Sequence, residues 1–149
     1  MKRRFYIAYG SNLNVDQMVR RCPDAVMIGS AVLDGYRLLF RSSGRRAGVA
    51  TIEPSADGSV PVGIWSISEA DEVSLDRYEG WPYLYEKKDF RVRVNGKTIT
   101  AMAYVMTPGH MIAPPMYSYM DTIIEGYYNF GFDTKPLYKA AESSRRRYA

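Results

Sequence analysis

Between residues 25 and 106 the apolar, alternating stretches of this chain come in neighbouring pairs, and that succession restricts it to a mostly antiparallel sheet. Residues 25–33 and 36–42 read as two strands turned over Asp34-Gly35, a favoured hairpin dipeptide. Residues 48–53 and 60–67 form a second pair around the polar stretch Pro54-Ser55-Ala56-Asp57-Gly58-Ser59. Within it, Val62-Gly63-Ile64-Trp65-Ser66-Ile67 alternates large and small side chains, as a strand with one packed face does. A third pair, 87–94 and 98–106, folds over Asn95-Gly96. Phe90, Val92 and Val94 alternate there with charged residues, so one face meets a core and the other meets water.

Helices are placed before, between and after these strands. Residues 4–8 read as a buried strand and 14–21 as a short helix. Ser68 caps a second helix, with Asp71 three residues on to complete a capping box. Val73, Leu75 and Tyr78 are its apolar positions, and Gly80 and Pro82 end it. A third helix spans about 116–129, with Ile123, Ile124 and Tyr127 on its buried side, Tyr119 on a neighbouring face and Gly131 as its stop. Residues 134–149 form a basic tail, read as a final short helix or a disordered segment. With no internal repeat or linker, 149 residues and 46% hydrophobic content fit a single domain over 1–149. The expected fold is α+β: a mixed, mostly antiparallel, barrel-like sheet with flanking helices. Gly10 stands alone in its turn, so the glycine-rich phosphate signatures of doubly wound nucleotide folds are missing.

Charge and residue usage exclude several functions. The net charge of +4 raises the possibility of a polyanion partner, but the excess sits in Lys2-Arg3-Arg4, Arg45-Arg46 and Arg145-Arg146-Arg147. No arginine–aromatic alternation, zinc spacing or helix-turn-helix pattern accompanies it, so no nucleic acid partner is expected. No segment is long and apolar enough to cross a membrane, and no membrane association is expected. The single cysteine, Cys22, beside Pro23, reads as a buried filler, and a cytoplasmic protein is the simplest expectation. The single histidine, His110, lies in a Pro-Gly loop, reads as a surface residue, and has no metal-ligating cluster around it in sequence. Chemistry in this chain therefore falls to carboxylates, hydroxyls and backbone dipoles.

Two places could carry it. The run Tyr9-Gly10-Ser11-Asn12-Leu13 joins a strand to a helix, and its backbone N–H groups suit an anion or a developing oxyanion. The same run also fits a plain strand-to-helix turn with Asn12 or Asn14 as N-cap. Glu79 sits at a helix C-terminus, where its charge opposes the dipole and stability alone does not favour it. Packed against Trp81 or a tyrosine it would be desolvated and its pKa raised; left in a frayed last turn it would be an ordinary exposed acid. Glu69, Asp71 and Glu72 complement the helix N-terminus, and Glu86, Asp89 and Glu125 read as surface charge. Thirteen tyrosines suit a pocket for a polar ligand.

Taken in order, these pieces resemble the gamma-glutamylcyclotransferase family, including its AIG2-like members. Tyr9-Gly10-Ser11-Asn12-Leu13 resembles the family's N-terminal loop, and Gly29-Ser30-Ala31-Val32-Leu33-Asp34-Gly35-Tyr36-Arg37-Leu38 its first hairpin. Val62-Gly63-Ile64-Trp65 resembles the strand before its helix, and Leu75-Asp76-Arg77-Tyr78-Glu79-Gly80 the segment bearing its catalytic glutamate. Tyr119, ahead of Ile123-Ile124 and Gly126, matches its substrate-contacting tyrosine. The resemblance implies Glu79 as general acid/base and Tyr9, Gly10, Ser11, Asn12, Leu13 and Tyr119 as substrate-binding residues. It also implies a small-molecule gamma-glutamyl substrate and release of 5-oxoproline by a cyclising acyltransferase or lyase that needs neither metal nor organic cofactor. The alternative is a non-catalytic module of the same fold that binds a small metabolite.

Overall fold

The computed structural model describes residues 2–44 and 47–148; Arg45 and Arg46, counted above as a basic loop, lie outside them. Five strands and four helices follow one another as β1 (Arg3–Ala8), α1 (Val15–Arg21), β2 (Val26–Ser42), β3 (Gly48–Ser68), α2 (Glu69–Glu79), β4 (Tyr85–Val94), β5 (Lys97–Met106), α3 (Tyr117–Phe130) and α4 (Lys135–Tyr148). The sheet order is β2-β3-β1-β5-β4. Two long antiparallel hairpins, β2–β3 and β4–β5, flank β1, which runs antiparallel to β3 and parallel to β5. The first strand is thus the middle of the sheet, and the loop after Ala8 leaves from that central strand.

The expected mixed, mostly antiparallel sheet with flanking helices is what the chain forms. Its edges curl towards each other: Asn95 Nδ2 donates to the Ile28 carbonyl at 3.1 Å, and the Tyr36 and Phe90 rings meet edge to face at 5.3 Å between centroids. No ladder joins β2 to β4, so the curl stops short of a closed barrel. Ile7, Phe40, Ile52, Val62, Ile64, Ile67 and Met102 of the sheet are buried in one core cluster with Ile123 and Tyr127 of α3. Phe90, Val92 and Val94 of β4 are buried as their alternation requires.

Two local expectations are corrected, and of the two readings of the basic tail the helix is the one formed. Asp34-Gly35 does not turn a hairpin but sits in a bulge inside one 17-residue strand, where the partner register jumps from Ser59 to Pro54. Gly35 has φ +82°, and a left-handed glycine serves a bulge as readily as a tight turn. Residues 54–59 likewise stay within one 21-residue strand, β3. The basic tail is a full helix, α4, because Leu137, Ala141 and Ser144 make an i, i+4, i+7 stripe that is buried in the structure.

The ends of α2 are set as expected. Ser68 and Asp71 form the reciprocal capping box, and left-handed Gly80 (φ 70°) closes the helix just after Glu79. Only Leu75 of its three expected apolar positions is buried; Val73 and Tyr78 are exposed. The helix is instead fastened to β4 by Lys87, whose Nζ lies 2.6 Å from Glu72 Oε2 and 3.0 Å from Asp76 Oδ1. Lys87 also sits 4.1 Å from the centroid of the Trp81 ring, so that ring covers a cation rather than Glu79.

Candidate active site

Where β1 ends, Ser11–Leu13 forms a single 3-10 turn, and Asn14 rather than Asn12 caps α1, its Oδ1 accepting from Gln17 N at 3.1 Å. The turn closes on itself through Leu13 N to Gly10 O and Asn14 N to Ser11 O, both 3.0 Å. Among the described residues, no protein group accepts the N–H of Gly10, Ser11 or Asn12. All three residues are buried. Such orphan donors are held by water or a ligand.

They border a cavity of about 260 Å³, whose wall also contains Glu79, the last residue of α2, and Ser43, Val49, Ala50 and Leu84. Six tyrosines complete it: Tyr6, Tyr9, Tyr78, Tyr85, Tyr104 and Tyr119. Almost every hydroxyl is committed to the protein. Tyr9 donates to the Tyr104 carbonyl at 2.6 Å, Tyr85 to the Ala50 carbonyl at 2.5 Å and Tyr104 to Asp76 Oδ1 at 2.6 Å. Ser11 Oγ and the Tyr78 hydroxyl share a hydrogen bond of 3.0 Å. Tyr6 and Tyr119 accept, from Asn12 Nδ2 at 2.9 Å and Ala50 N at 3.0 Å, so each keeps a proton to donate.

Glu79 is the acid on this wall, and no hydrogen bond or ion pair from a described residue holds its carboxyl. Burial among the rings pushes its pKa from 4.5 to about 7, with the positive charge of Arg21 pulling the other way. Burial also raises Tyr6, Tyr9, Tyr85, Tyr104 and Tyr119, so all five phenols are neutral near pH 7. The cavity therefore holds one group able to give and take a proton near neutrality, opposite uncommitted amide donors. A second cavity, of about 290 Å³ beneath α4, has no carboxylate in its lining and offers no comparable pair.

The sequence profile described as "Gamma-glutamyl cyclotransferase, AIG2-like" matches residues 6–126. The chain belongs to this family. Curated gamma-glutamylcyclotransferases of Mus musculus and Homo sapiens are each 33% identical to it over 129 residues, covering 81% of this chain and 68% of theirs. A solved structure titled "Gamma-glutamyl cyclotransferase" superposes with a TM-score of 0.80 at 29% identity, over 99% of this chain and 88% of the other. The region matched to the AIG2-like cyclotransferase profile includes every residue lining the Glu79 cavity and ends before α4.

Of the residues singled out from the sequence, Glu79, Tyr9, Gly10, Ser11, Asn12 and Tyr119 all meet at this cavity. Leu13 does not. It is completely buried and faces the core, where a Cβ added at Gly63 would come within 3.0 Å of its Cδ2. Residue by residue along a 3-10 turn the side chains diverge, so a motif neighbour need not share its neighbours' surroundings. Tyr6, Tyr85 and Tyr104, and Tyr78, which reads from the sequence as an apolar helix position, also line the cavity, and the tyrosine count is the signal for them. Cys22 is fully buried, and burial pushes its thiol up to about 12, in keeping with a core filler. His110 is half-buried rather than a free surface residue, sharing a hydrogen bond of 3.0 Å with Thr107 Oγ1. Glu125 is exposed as expected, but its carboxylate accepts from Asn14 Nδ2.

Helix α3 clamps the loop from behind. Asn14 Nδ2 also donates to the Thr122 carbonyl at 3.1 Å, and a Cβ at Gly126 would lie 2.7 Å from the Asn14 nitrogen and the Leu13 carbonyl carbon. Those are backbone atoms that cannot swing aside, so only glycine permits this approach. Gly126→Ala should cost about 1–3 kcal/mol of stability and displace the loop relative to Tyr119. Chemical denaturation checks the first effect, and ligand affinity of the folded fraction the second.

Proposed function

We propose that the chain is a gamma-glutamyl cyclotransferase whose substrate closes on itself to give 5-oxoproline and a free amine or amino acid. The observation that carries this reading is the meeting, in one cavity, of the unpaired Glu79 carboxyl with the orphan N–H groups of Gly10, Ser11 and Asn12. At about 260 Å³ the cavity lies just below the usual ligand range of roughly 300–1,000 Å³, a size suited to an amino-acid-sized group.

In this mechanism the substrate's alpha-amine nitrogen bonds to the gamma-carbonyl carbon while the Glu79 carboxylate takes the proton that the nitrogen sheds. The carbonyl oxygen becomes an oxyanion and is met by the loop amides, a type of donor worth roughly 3 kcal/mol each in other enzymes. The bond from the same carbon to the leaving nitrogen then breaks, and Glu79 returns its proton to that nitrogen. Nothing is oxidised, and the carboxyl ends as it began. Because nucleophile and target share one molecule, attack closes a five-membered ring and gains a large effective molarity. Rings whose hydroxyls are tied back to the protein line the cavity, which favours the internal amine over water.

The test is a panel of gamma-glutamyl amino acids and gamma-glutamyl amines, with 5-oxoproline followed by mass spectrometry. Turnover of at least one member is expected. A rise in melting temperature with ligand but no product from any member would assign the cavity to a binding module instead.

A further inference from the structure

Behind the cavity wall, and outside its lining, lies a cation that the reaction scheme does not use. Arg21 is the last residue of α1 and is half-buried. Its guanidinium carbon sits 3.4 Å from the centroid of the Tyr78 ring, a close cation–π stack. One nitrogen donates to Asn12 Oδ1 at 2.5 Å, and another donates to Gln17 Oε1. Both Asn12 and Tyr78 are wall residues, and each is tied onward, Asn12 to the Tyr6 hydroxyl and Tyr78 to Ser11 Oγ. The guanidinium thus joins the donor loop to the end of the helix that carries Glu79, two segments about sixty residues apart in the chain.

We infer that Arg21 is a positioning residue: its planar fork and stacked face lock the amide loop against the Glu79 helix end. Among the described residues, the titratable groups that share the cavity wall with Glu79 are phenols: Tyr6 on β1 and Tyr9 just after it, Tyr78 beside it on α2, Tyr85 on β4, Tyr104 on β5 and Tyr119 on α3. Among the described residues, Arg21 is the cation that acts on this carboxyl, and it pulls its pKa down. A lysine keeps the charge but has neither the fork nor the flat face. Charge and geometry can therefore be separated by substitution.

The rate part of this inference rests on the cyclotransferase reading; the titration part does not. The experiment is a carbon-13 NMR titration of the Glu79 carboxyl, assigned against Glu79→Gln, in the wild type, Arg21→Gln and Arg21→Lys, together with pH profiles of kcat/KM. In Arg21→Gln the Glu79 midpoint should rise by about one pH unit, and the rising limb of kcat/KM should move with it. Arg21→Lys should restore the midpoint while KM stays raised about tenfold, since the loop has lost its clamp. If Arg21→Gln does not fold, Gln17→Ala, which removes one partner of the fork, should move the midpoint in the same direction by less. An unchanged midpoint in folded Arg21→Gln overturns the electrostatic role, and wild-type KM in Arg21→Lys overturns the clamp. Absence of turnover in the wild type would defeat the cyclotransferase reading and leave the titration standing as the measure of Arg21.

Discussion

Glu79→Gln should lower 5-oxoproline formation by roughly 10³-fold or more while the protein folds normally. Proton transfer by one positioned group contributes about 10²–10⁴-fold, and here a single carboxyl serves both the attack and the departure of the amine. Glutamine has the shape of the neutral acid and neither takes nor gives a proton, so the cavity keeps its volume and loses its chemistry. Because the pKa of Glu79 lies at about 7, the wild-type kcat/KM should climb with pH through that point as the carboxylate form accumulates. Glu79→Gln should show no such limb. A variant within tenfold of the wild type, or one retaining the limb, would place the acid/base group elsewhere. Glu79→Asp gives an intermediate check: withdrawing the carboxyl by one methylene moves it by more than 1 Å, enough for a loss of about a hundredfold.

What the sequence disclosed, and what it hid, divides by the range of the interactions. The β4–β5 hairpin over Asn95-Gly96, the Ser68–Asp71 capping box and the Gly131 stop depend on residues within a few positions of one another, and all are present as read. The Asp34-Gly35 bulge was hidden because a left-handed glycine satisfies a turn and a bulge alike; only the partner strand decides between them. The insertion of β1 between two hairpins was hidden for the same reason, since no local pattern says which strand takes the centre of a sheet. That insertion creates the cavity, because it brings the loop after Ala8 up beside the end of α2. Glu79 could be singled out because its charge opposes the helix dipole, a conflict that stability does not explain. Arg21 could not, because a basic residue in the last turn of a helix already has a reason to be there.

The same conflict predicts how stability responds to pH. Below about pH 4.5 the Glu79 carboxyl is protonated in both the folded and the unfolded chain, and it costs nothing. As pH rises from there towards about 7, the unfolded chain releases the proton first, and the folded state loses ground by 1.36 kcal/mol per pH unit. Above pH 7 both states are ionised and the loss is complete, at about 3 kcal/mol as an upper bound for a half-buried residue. Glu79→Gln carries no such cost at any pH. It should therefore match the wild type near pH 4 and exceed it at pH 8, by several degrees in Tm, with the gap opening between those values. Paired thermal melts of the two proteins across that range isolate Glu79, since every other titrating group is common to both. A variant no more stable than the wild type at pH 8 would mean that the carboxyl is solvated in the folded protein, and with it would fall the proton affinity that the proposed chemistry requires. A variant that gains there would place this acid among groups kept at a cost to folding, and the amides of Gly10, Ser11 and Asn12, left without protein acceptors in the same cavity, are the second half of that arrangement.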